Sequence, residues 1–335
     1  MAANKIDLNS LVGKRVLVTG ATGLIGGALV ERLLSVDGIN VLALARNEAK
    51  ARKAFCRHAD NPRLSFIFTD IRDLKAEKLD VDYIIHTACT TSSKAFSDTP
   101  VETILSTIDG MHKVLELARV NSVKGFVYLS TLEVYGTPTT DDKISETTPS
   151  DLLTSSPRSS YPEAKRLCEN LGASYCSEYG VPVKTVRLCQ TFGEGVDYND
   201  GRVFAEFARC VIEGRDIVLN TKGETKRSYL YLGDAVEAIL TVLLRGASGE
   251  IYNAANESTY CSIYEMACAV ADAFGGGKTS VRVNPVSDIQ KFGYAPTLKI
   301  NLDCTKLASL GWSASVDLLG AYKKMIDYMR SKMAE

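Results

Sequence analysis

A doubly wound α/β sheet joined to a smaller C-terminal lobe is the fold class this sequence predicts, on three observations. Apolar runs of strand length alternate with stretches of helical period through the first half of the chain. A glycine-rich turn, Gly20-Ala-Thr-Gly23-Leu-Ile-Gly26, falls where the first apolar run passes into the first helical stretch. After Gln190 the regularity weakens, and Gly193, Gly195, Gly201, Gly214 and Gly223 punctuate the chain.

Strands are expected at Arg15 to Thr19, Asn40 to Ala45, Leu64 to Thr69, Tyr83 to Thr87, Phe126 to Ser130 and Val183 to Leu188, with another at Ile251 to Ala254. Their continuous apolar character suits a parallel sheet covered by helices on both faces. Between them, Gly26 to Leu34 and Ile104 to Arg119 place apolar residues at i, i+3, i+4 and i+7, the stripe of an amphipathic helix. The pattern predicts a Rossmann-type domain over residues 1–190, with a segment returning to it at about 228–256. Residues 191–227 and 257–335 are then expected to form the second lobe. The stretch from Thr137 to Ser160, rich in Ser, Thr, Pro and Asp, separates two elements that carry candidate catalytic residues, so it is expected to be an ordered loop over the site.

Bulk properties exclude several function classes. With 39 Lys and Arg against 40 Asp and Glu, no global field favours nucleic acid or an anionic membrane. Nine cysteines without C-x-x-C spacing, together with three dispersed histidines, argue against a disulfide framework and a metal site. The first ten residues show no signal pattern, and no apolar run approaches the roughly 18 residues that span a bilayer. A soluble, cytoplasmic protein is the expectation.

The glycine turn follows a strand and opens a helix, the context in which free amides and the helix dipole hold a pyrophosphate. Gly20, Gly23 and Gly26, with Leu24 and Ile25 between them, are therefore expected to bind a dinucleotide. An acidic residue some 20 positions on commonly takes the adenosine ribose in NAD sites. Here the second strand ends Leu44-Ala45-Arg46-Asn47. Arg46 is suited to neutralise a 2′-phosphate, to stack on adenine, or to face solvent, so the cofactor is NAD(P) with the choice between NAD and NADP open. Asp70 is suited to accept from the adenine amino group or to cap a helix.

Tyr161 and Lys165 stand four apart, hence on one helical face, with Pro162 in a first-turn position. A nearby ammonium favours phenolate, and an oxidised nicotinamide would add to that field, so Tyr161 is expected to act as a base near neutral pH. The strand before it ends Ser130-Thr131-Leu132-Glu133. Thr131 is placed to hydrogen-bond the reacting hydroxyl and Glu133 to serve as a second acid/base group, unless they only satisfy backbone and solvent.

With these residues in place, the chain resembles the extended short-chain dehydrogenase/reductase family, specifically its nucleotide-sugar epimerases, dehydratases and decarboxylases. The resemblance runs over nearly the whole length and includes His86-Thr87-Ala88, Arg187-Leu-Cys-Gln190-Thr-Phe-Gly193, Asp200-Gly-Arg202-Val-Phe204, Arg227-Ser-Tyr-Leu-Tyr-Leu-Gly-Asp234 and Leu310-Gly-Trp312. It implies that Thr131, Tyr161 and Lys165 are catalytic, that Ile71, Thr87, Ala88, Tyr161 and Lys165 join the cofactor site, and that the second lobe grips a nucleoside diphosphate sugar. Thr90, Thr131, Gln190, Arg202, Val203, Phe204 and Arg227 are the implied substrate contacts, with Arg227 the foremost for the diphosphate because a guanidinium forks onto two oxygens. A tightly bound cofactor restored within each turnover, and a homodimer through the helices carrying Ile104 to Arg119 and Tyr161 to Glu178, are implied too. Sugar 4,6-dehydratases carry Thr-Asp-Glu at this strand end and UDP-glucuronate decarboxylases Thr-Ser-Glu, whereas this chain has Leu132 in the middle place. Leucine donates no proton, so epimerisation through a 4-keto sugar ranks first, dehydration or decarboxylation second, and an NADPH-dependent carbonyl reductase third. Asp234 is expected to cap the helix that follows it, and His86 and Trp312 to be structural.

Overall fold

The computed structural model describes residues 5–89, 93–286 and 297–333. Its first strands are β1 (Arg15–Thr19), β2 (Asn40–Ala45), β3 (Leu64–Phe68), β4 (Tyr83–His86) and β5 (Gly125–Thr131). They are followed by β6 (Lys143–Ile144), β7 (Val183–Leu188), β8 (Gln190–Phe192), β9 (Ile217–Leu219) and β10 (Lys226–Tyr231). The last are β11 (Ile251–Ala254), β12 (Asn256–Ser262), β13 (Val281–Val283) and β14 (Lys299–Leu302). The helices are α1 (Leu24–Leu34), α2 (Glu48–Ala54), α3 (Ser93–Asp98), α4 (Pro100–Asn121) and α5 (Ser160–Tyr179), then α6 (Val203–Glu213), α7 (Leu232–Arg245), α8 (Ile263–Phe274), α9 (Thr305–Ala308) and α10 (Leu318–Met333).

Seven strands form one sheet in the order β11-β7-β5-β4-β1-β2-β3, every pair parallel. Successive side chains leave a strand on opposite faces, so β1 divides its apolar residues between two cores. Val16 and Val18 join the core under α1 and α7, while Leu17 joins the one under α4 and α5. Burial on both faces is why these strands read as unbroken apolar runs. The chain order reverses between β1 and β4, the switch point where a crevice opens beyond the strands' carboxyl ends.

The second lobe has its own core of Phe192, Phe204, Phe207, Tyr229, Met266 and Tyr322. Its sheet runs β12-β10-β14-β6, with β8 alongside β10. Of the segment expected to return at about 228–256, β10 lies in this second sheet, whereas α7 packs beneath the large sheet and β11 extends it. The Thr137 to Ser160 stretch is held to the second lobe as well: β6 pairs with β14, and Asp141 accepts from Lys299 Nζ (2.7 Å) and the Tyr260 hydroxyl (2.9 Å). Those partners hold the Asp141 carboxyl down to about 2.

A buried polar network ties the pieces together. Arg187 on β7 forks onto Glu169 of α5 (3.0 and 2.7 Å) and donates to the Tyr135 hydroxyl (2.8 Å), which donates to Asn253 of β11 (2.6 Å). Asp234 does not cap α7. That helix starts from Tyr231 without a side-chain cap, and the Asp234 carboxylate accepts from the Ser315 hydroxyl (2.6 Å) and the Ser315 and Val316 amides (both 3.0 Å). Three donors brought from the C-terminal segment outcompete the helix's own amides. Trp312 is buried beside them and donates to the Asp234 carbonyl (3.1 Å), so it is structural.

Candidate active site

The crevice at the switch point is a cleft of about 900 Å³, reaching from the glycine turn to Gln190 and Arg202. At its nucleotide end Gly20 has φ +65°, and a Cβ there would lie 2.7 Å from the Thr87 hydroxyl and 2.8 Å from the Ala88 backbone. A Cβ on Gly26 would overlap the Gly20 carbonyl oxygen. Glycine is thus demanded twice, once by the left-handed turn and once by the close strand-to-helix approach. The Thr87 hydroxyl donates to the Thr19 carbonyl (2.6 Å) and the Ala88 amide to the Thr19 hydroxyl (3.2 Å), clamping the end of β4 against β1. His86, buried between the strands, has its ring held neutral with a pKa of about 3, through burial and then the Lys165 charge, and its Nδ1 meets the Thr19 hydroxyl at 2.7 Å. It is structural, as expected.

Asp70 is a cap. It begins a short 3-10 turn over Ile71–Asp73, accepting from the Arg72 amide and Nε (both 3.0 Å), and that pairing keeps its carboxyl low. Arg46 projects with its side chain 77% exposed and Nη1 3.8 Å from Asp70. Both line the cleft, with Ile71, Lys50 and Arg72.

At the other end β5 delivers Thr131, the 3-10 turn after it delivers Glu133, and the first turn of α5 delivers Tyr161, with Lys165 one turn on. All four line the cleft. Thr131 caps the 3-10 turn Leu132–Tyr135 by accepting from the Glu133 amide (3.2 Å). The Tyr161 ring is 7% exposed and lies flat on Phe96, centroids 4.2 Å apart and 6° from parallel. Lys165 is buried, donates to the Leu129 carbonyl (2.8 Å), and sits 4.8 Å from the Tyr128 ring centroid and 5.7 Å from that of Tyr161.

In the protein alone, the balance of effects on the Tyr161 phenol runs upward. Burial pushes Tyr161 well above the usual phenol range, the Cys89 and Glu133 charges push the same way, and a hydrogen bond with Thr131 and the Arg158 charge pull back. The Lys165 ammonium donates to the Leu129 carbonyl, and desolvation outweighs the effects that favour phenolate.

The distal substrate positions divide. Gln190 and Arg202 line the cleft, but the Arg202 guanidinium is already paired with Asp200 (Nε to Oδ1, 2.9 Å) and lies over the Phe204 ring. The Phe204 side chain is corrected to a core residue: it is 1% exposed and stacks on Phe192 at 4.9 Å. Val203 packs against the same core. What these two positions can offer is backbone at the start of α6, whose N-cap Arg202 supplies no side-chain hydrogen bond. Arg227 does not line the cleft. It lies on β10, its charge acts on the Cys189 thiol, and its Nε is buried without a partner among the described residues. Thr90 falls outside the described residues. The sequence reading missed Arg158 and Phe96. Arg158 precedes Tyr161 by one helical turn, a spacing open to view, but Phe96 lies in a distant segment with no local signal.

The sequence model of the NAD-dependent epimerase/dehydratase family matches residues 16–255, most of the chain. The chain belongs to that family. Members are enzymes, and similar curated proteins include UDP-glucuronic acid decarboxylase 4 of Arabidopsis thaliana, 29% identical over 321 residues covering 95% of this chain and 69% of that protein. UDP-glucuronic acid decarboxylase 1 of Xenopus tropicalis is 28% identical over 322 residues, 96% of this chain and 73% of its own. Among solved structures, UDP-glucose 4-epimerase of Thermotoga maritima superposes with a TM-score of 0.81 at 24% identity, covering 95% of this chain and 99% of that one. The Streptomyces venezuelae dTDP-glucose 4,6-dehydratase DesIV, solved with NAD bound, gives 0.78 at 23% identity, covering 96% and 98%. At such identity the likeness shows the Rossmann-like fold.

The residues of this epimerase/dehydratase family member fit the family's dinucleotide. α1 starts at Gly23 with no side-chain cap and no acid in its first turn, so its amides point into the cleft available to a pyrophosphate. Ser130, 5% exposed, lines the same cleft with its hydroxyl unpartnered among the described residues. Among the described residues no group of His, Cys, Asp and Glu could hold a metal ion, and no helix is long and apolar enough to cross a membrane.

Proposed function

We propose that the protein is a nucleoside diphosphate sugar 4-epimerase working through a transient 4-keto sugar. The observation that carries this reading is the meeting of Tyr161, Thr131 and Lys165 with the glycine turn in one cleft, while Leu132, 2% exposed, fills the place where a dehydratase needs an acid. NAD⁺, held by the glycine turn and the first amides of α1, would supply the hydride acceptor and a positive charge near the phenol. Tyr161 takes the proton of the sugar's C4 hydroxyl as the ketone forms and gives it back to the oxygen when the carbinol is restored on the other face. Thr131 orients that hydroxyl, and Lys165 holds the Leu129 carbonyl and keeps a cation beneath the Tyr128 and Tyr161 rings. Gln190 and the α6 N-terminus are read as the sugar and diphosphate grip, and Arg46 and Asp70 as the adenosine end.

The second reading is decarboxylation of a nucleotide-linked uronate, which becomes a β-keto acid once C4 is oxidised. The names of the curated relatives and the presence of Glu133 favour it. The purified enzyme, given NAD⁺ and a panel of UDP-, dTDP-, CDP- and GDP-sugars, is expected to yield an isomer of unchanged mass by NMR and mass spectrometry. Loss of carbon dioxide or water would replace epimerisation by the second reading or by dehydration, and stoichiometric NADPH consumption would make the enzyme a reductase.

The same reading takes the enzyme to be a cytoplasmic homodimer. α4 and α5 pack together and leave Val101 and Leu105, four apart on α4, and Leu167 on α5 facing solvent at 67%, 51% and 48% exposure. Light scattering is expected to give a dimer mass for the wild type and a monomer mass for the Leu105→Asp, Leu167→Asp double variant. A dimeric double variant would rule this face out.

A further inference from the structure

Arg158 stands in the 3-10 turn Pro157–Ser159 that leads into α5, three residues before Tyr161. Its guanidinium lies 5.2 Å from the Phe96 ring centroid, and Phe96 in turn covers Tyr161. Nη2 reaches Glu133 Oε2 at 3.2 Å, with side-chain exposures of 27% and 25%. The stack is fixed at both ends: Ser159 donates to the Leu153 carbonyl (2.8 Å) and Ser160 to the Phe96 carbonyl (3.0 Å). One cation therefore bridges the two groups read above as proton carriers, through a ring to Tyr161 and through an ion pair to Glu133.

We propose that Arg158 is a positioning residue for the proton chemistry, holding Glu133 at the cleft wall and cancelling that carboxylate's repulsion of a Tyr161 phenolate. A planar guanidinium can stack on Phe96 and pair with Glu133 at once, which an ammonium does poorly. The pair is half-buried, where charges are screened less than on an open surface. The groups facing Tyr161 are Cys89 beyond β4, Tyr128 and Glu133 from β5 and its turn, Lys165 one turn along α5, and Arg158. Cys89 and Glu133 oppose ionisation of the phenol, and Arg158 opposes Glu133. Loss of Arg158 leaves the Glu133 charge uncompensated beside the base.

The inference rests on the roles given above to Tyr161 and Glu133, and its test does not depend on turnover. With ¹³Cζ-labelled tyrosine and saturating NAD⁺, the Tyr161 signal is assigned by its disappearance in Tyr161→Phe and followed against pH. Arg158→Gln is expected to raise the Tyr161 midpoint by about one pH unit relative to wild type. Arg158→Lys should recover part of that shift, and Arg158→Gln with Glu133→Gln should fall back toward wild type, because both charges are then gone. Thermal melts of the variants separate these shifts from unfolding. Where a nucleotide sugar is converted, the acid limb of the kcat profile should move with the Tyr161 midpoint while KM changes little. An unchanged midpoint in a folded Arg158→Gln protein overturns the inference; wild-type enzyme that titrates as expected but converts no sugar overturns only the catalytic reading.

Discussion

Tyr161→Phe is expected to cut turnover by roughly 10²- to 10⁴-fold, the usual worth of a positioned general acid/base. The substitution leaves the shape of the site intact. Phenylalanine preserves the 4.2 Å stack on Phe96 and the burial of the ring, so the one thing removed is the oxygen that accepts the proton. Dinucleotide retention should be unchanged, because the glycine turn and the Thr87–Thr19 clamp lie on other elements. Turnover measured beside bound dinucleotide separates lost chemistry from lost cofactor. A variant that keeps wild-type turnover would mean that another group takes the proton. The upward push of burial on this phenol also gives the cofactor's charge a second role. With Lys165 donating to the Leu129 carbonyl, the phenol proposed as base ionises reluctantly until a further cation arrives.

Glu169→Ala carries the largest expected stability effect, a loss of about 3–5 kcal/mol. Glu169 and Arg187 have side-chain exposures of 6% and 10%, so removing the carboxylate strands a guanidinium that water cannot rescue. The damage spreads because Arg187 also holds Tyr135 and the Glu146 carbonyl (3.0 Å), and Tyr135 holds Asn253. Urea unfolding of Glu169→Ala, compared with the double variant Glu169→Leu, Arg187→Met, gives the check. The double variant is expected to regain more than half the loss, since apolar replacement of both partners removes the stranded charge. A single variant within about 0.5 kcal/mol of wild type would show that the network contributes no more than a surface contact.

Much of this architecture was legible in the chain because it is written locally. β1, β2, β7 and β11 coincide with the expected runs, and α1 starts two residues before the expected Gly26 because the helix forms directly on the Gly23 cap. Gly20, Gly23 and Gly26 reported the strand-to-helix turn by spacing alone, and Tyr161 and Lys165 reported a shared helical face. What was illegible is long-range. Phe204 follows a polar segment and reads as a ligand contact, yet an amphipathic α6 must bury one face and Phe204 is on it. Asp234 reads as a cap until its three donors arrive from residues 315 and 316. At Tyr161, residue spacing shows which charges are near but not how much water is removed.

Among the described residues the strap β6 pairs with β14 alone, and its neighbour Asp141 meets Lys299 across 158 positions of sequence. On the ribosome, β1 to β5, β7 and the first turn of α5 therefore emerge long before the strand that fastens the loop between β5 and α5. Closure of so long a loop is entropically unfavourable and slow relative to local pairing. A nascent chain that stops short of Lys299 leaves β10 with a bare edge where β14 should lie and Lys143–Ile144 with nothing to pair against. The large sheet can thus reach its native pairing first, and the loop between β5 and α5 is fastened only after Lys299 to Leu302 have emerged, so a chain truncated before them would present the cleft with that loop unfastened.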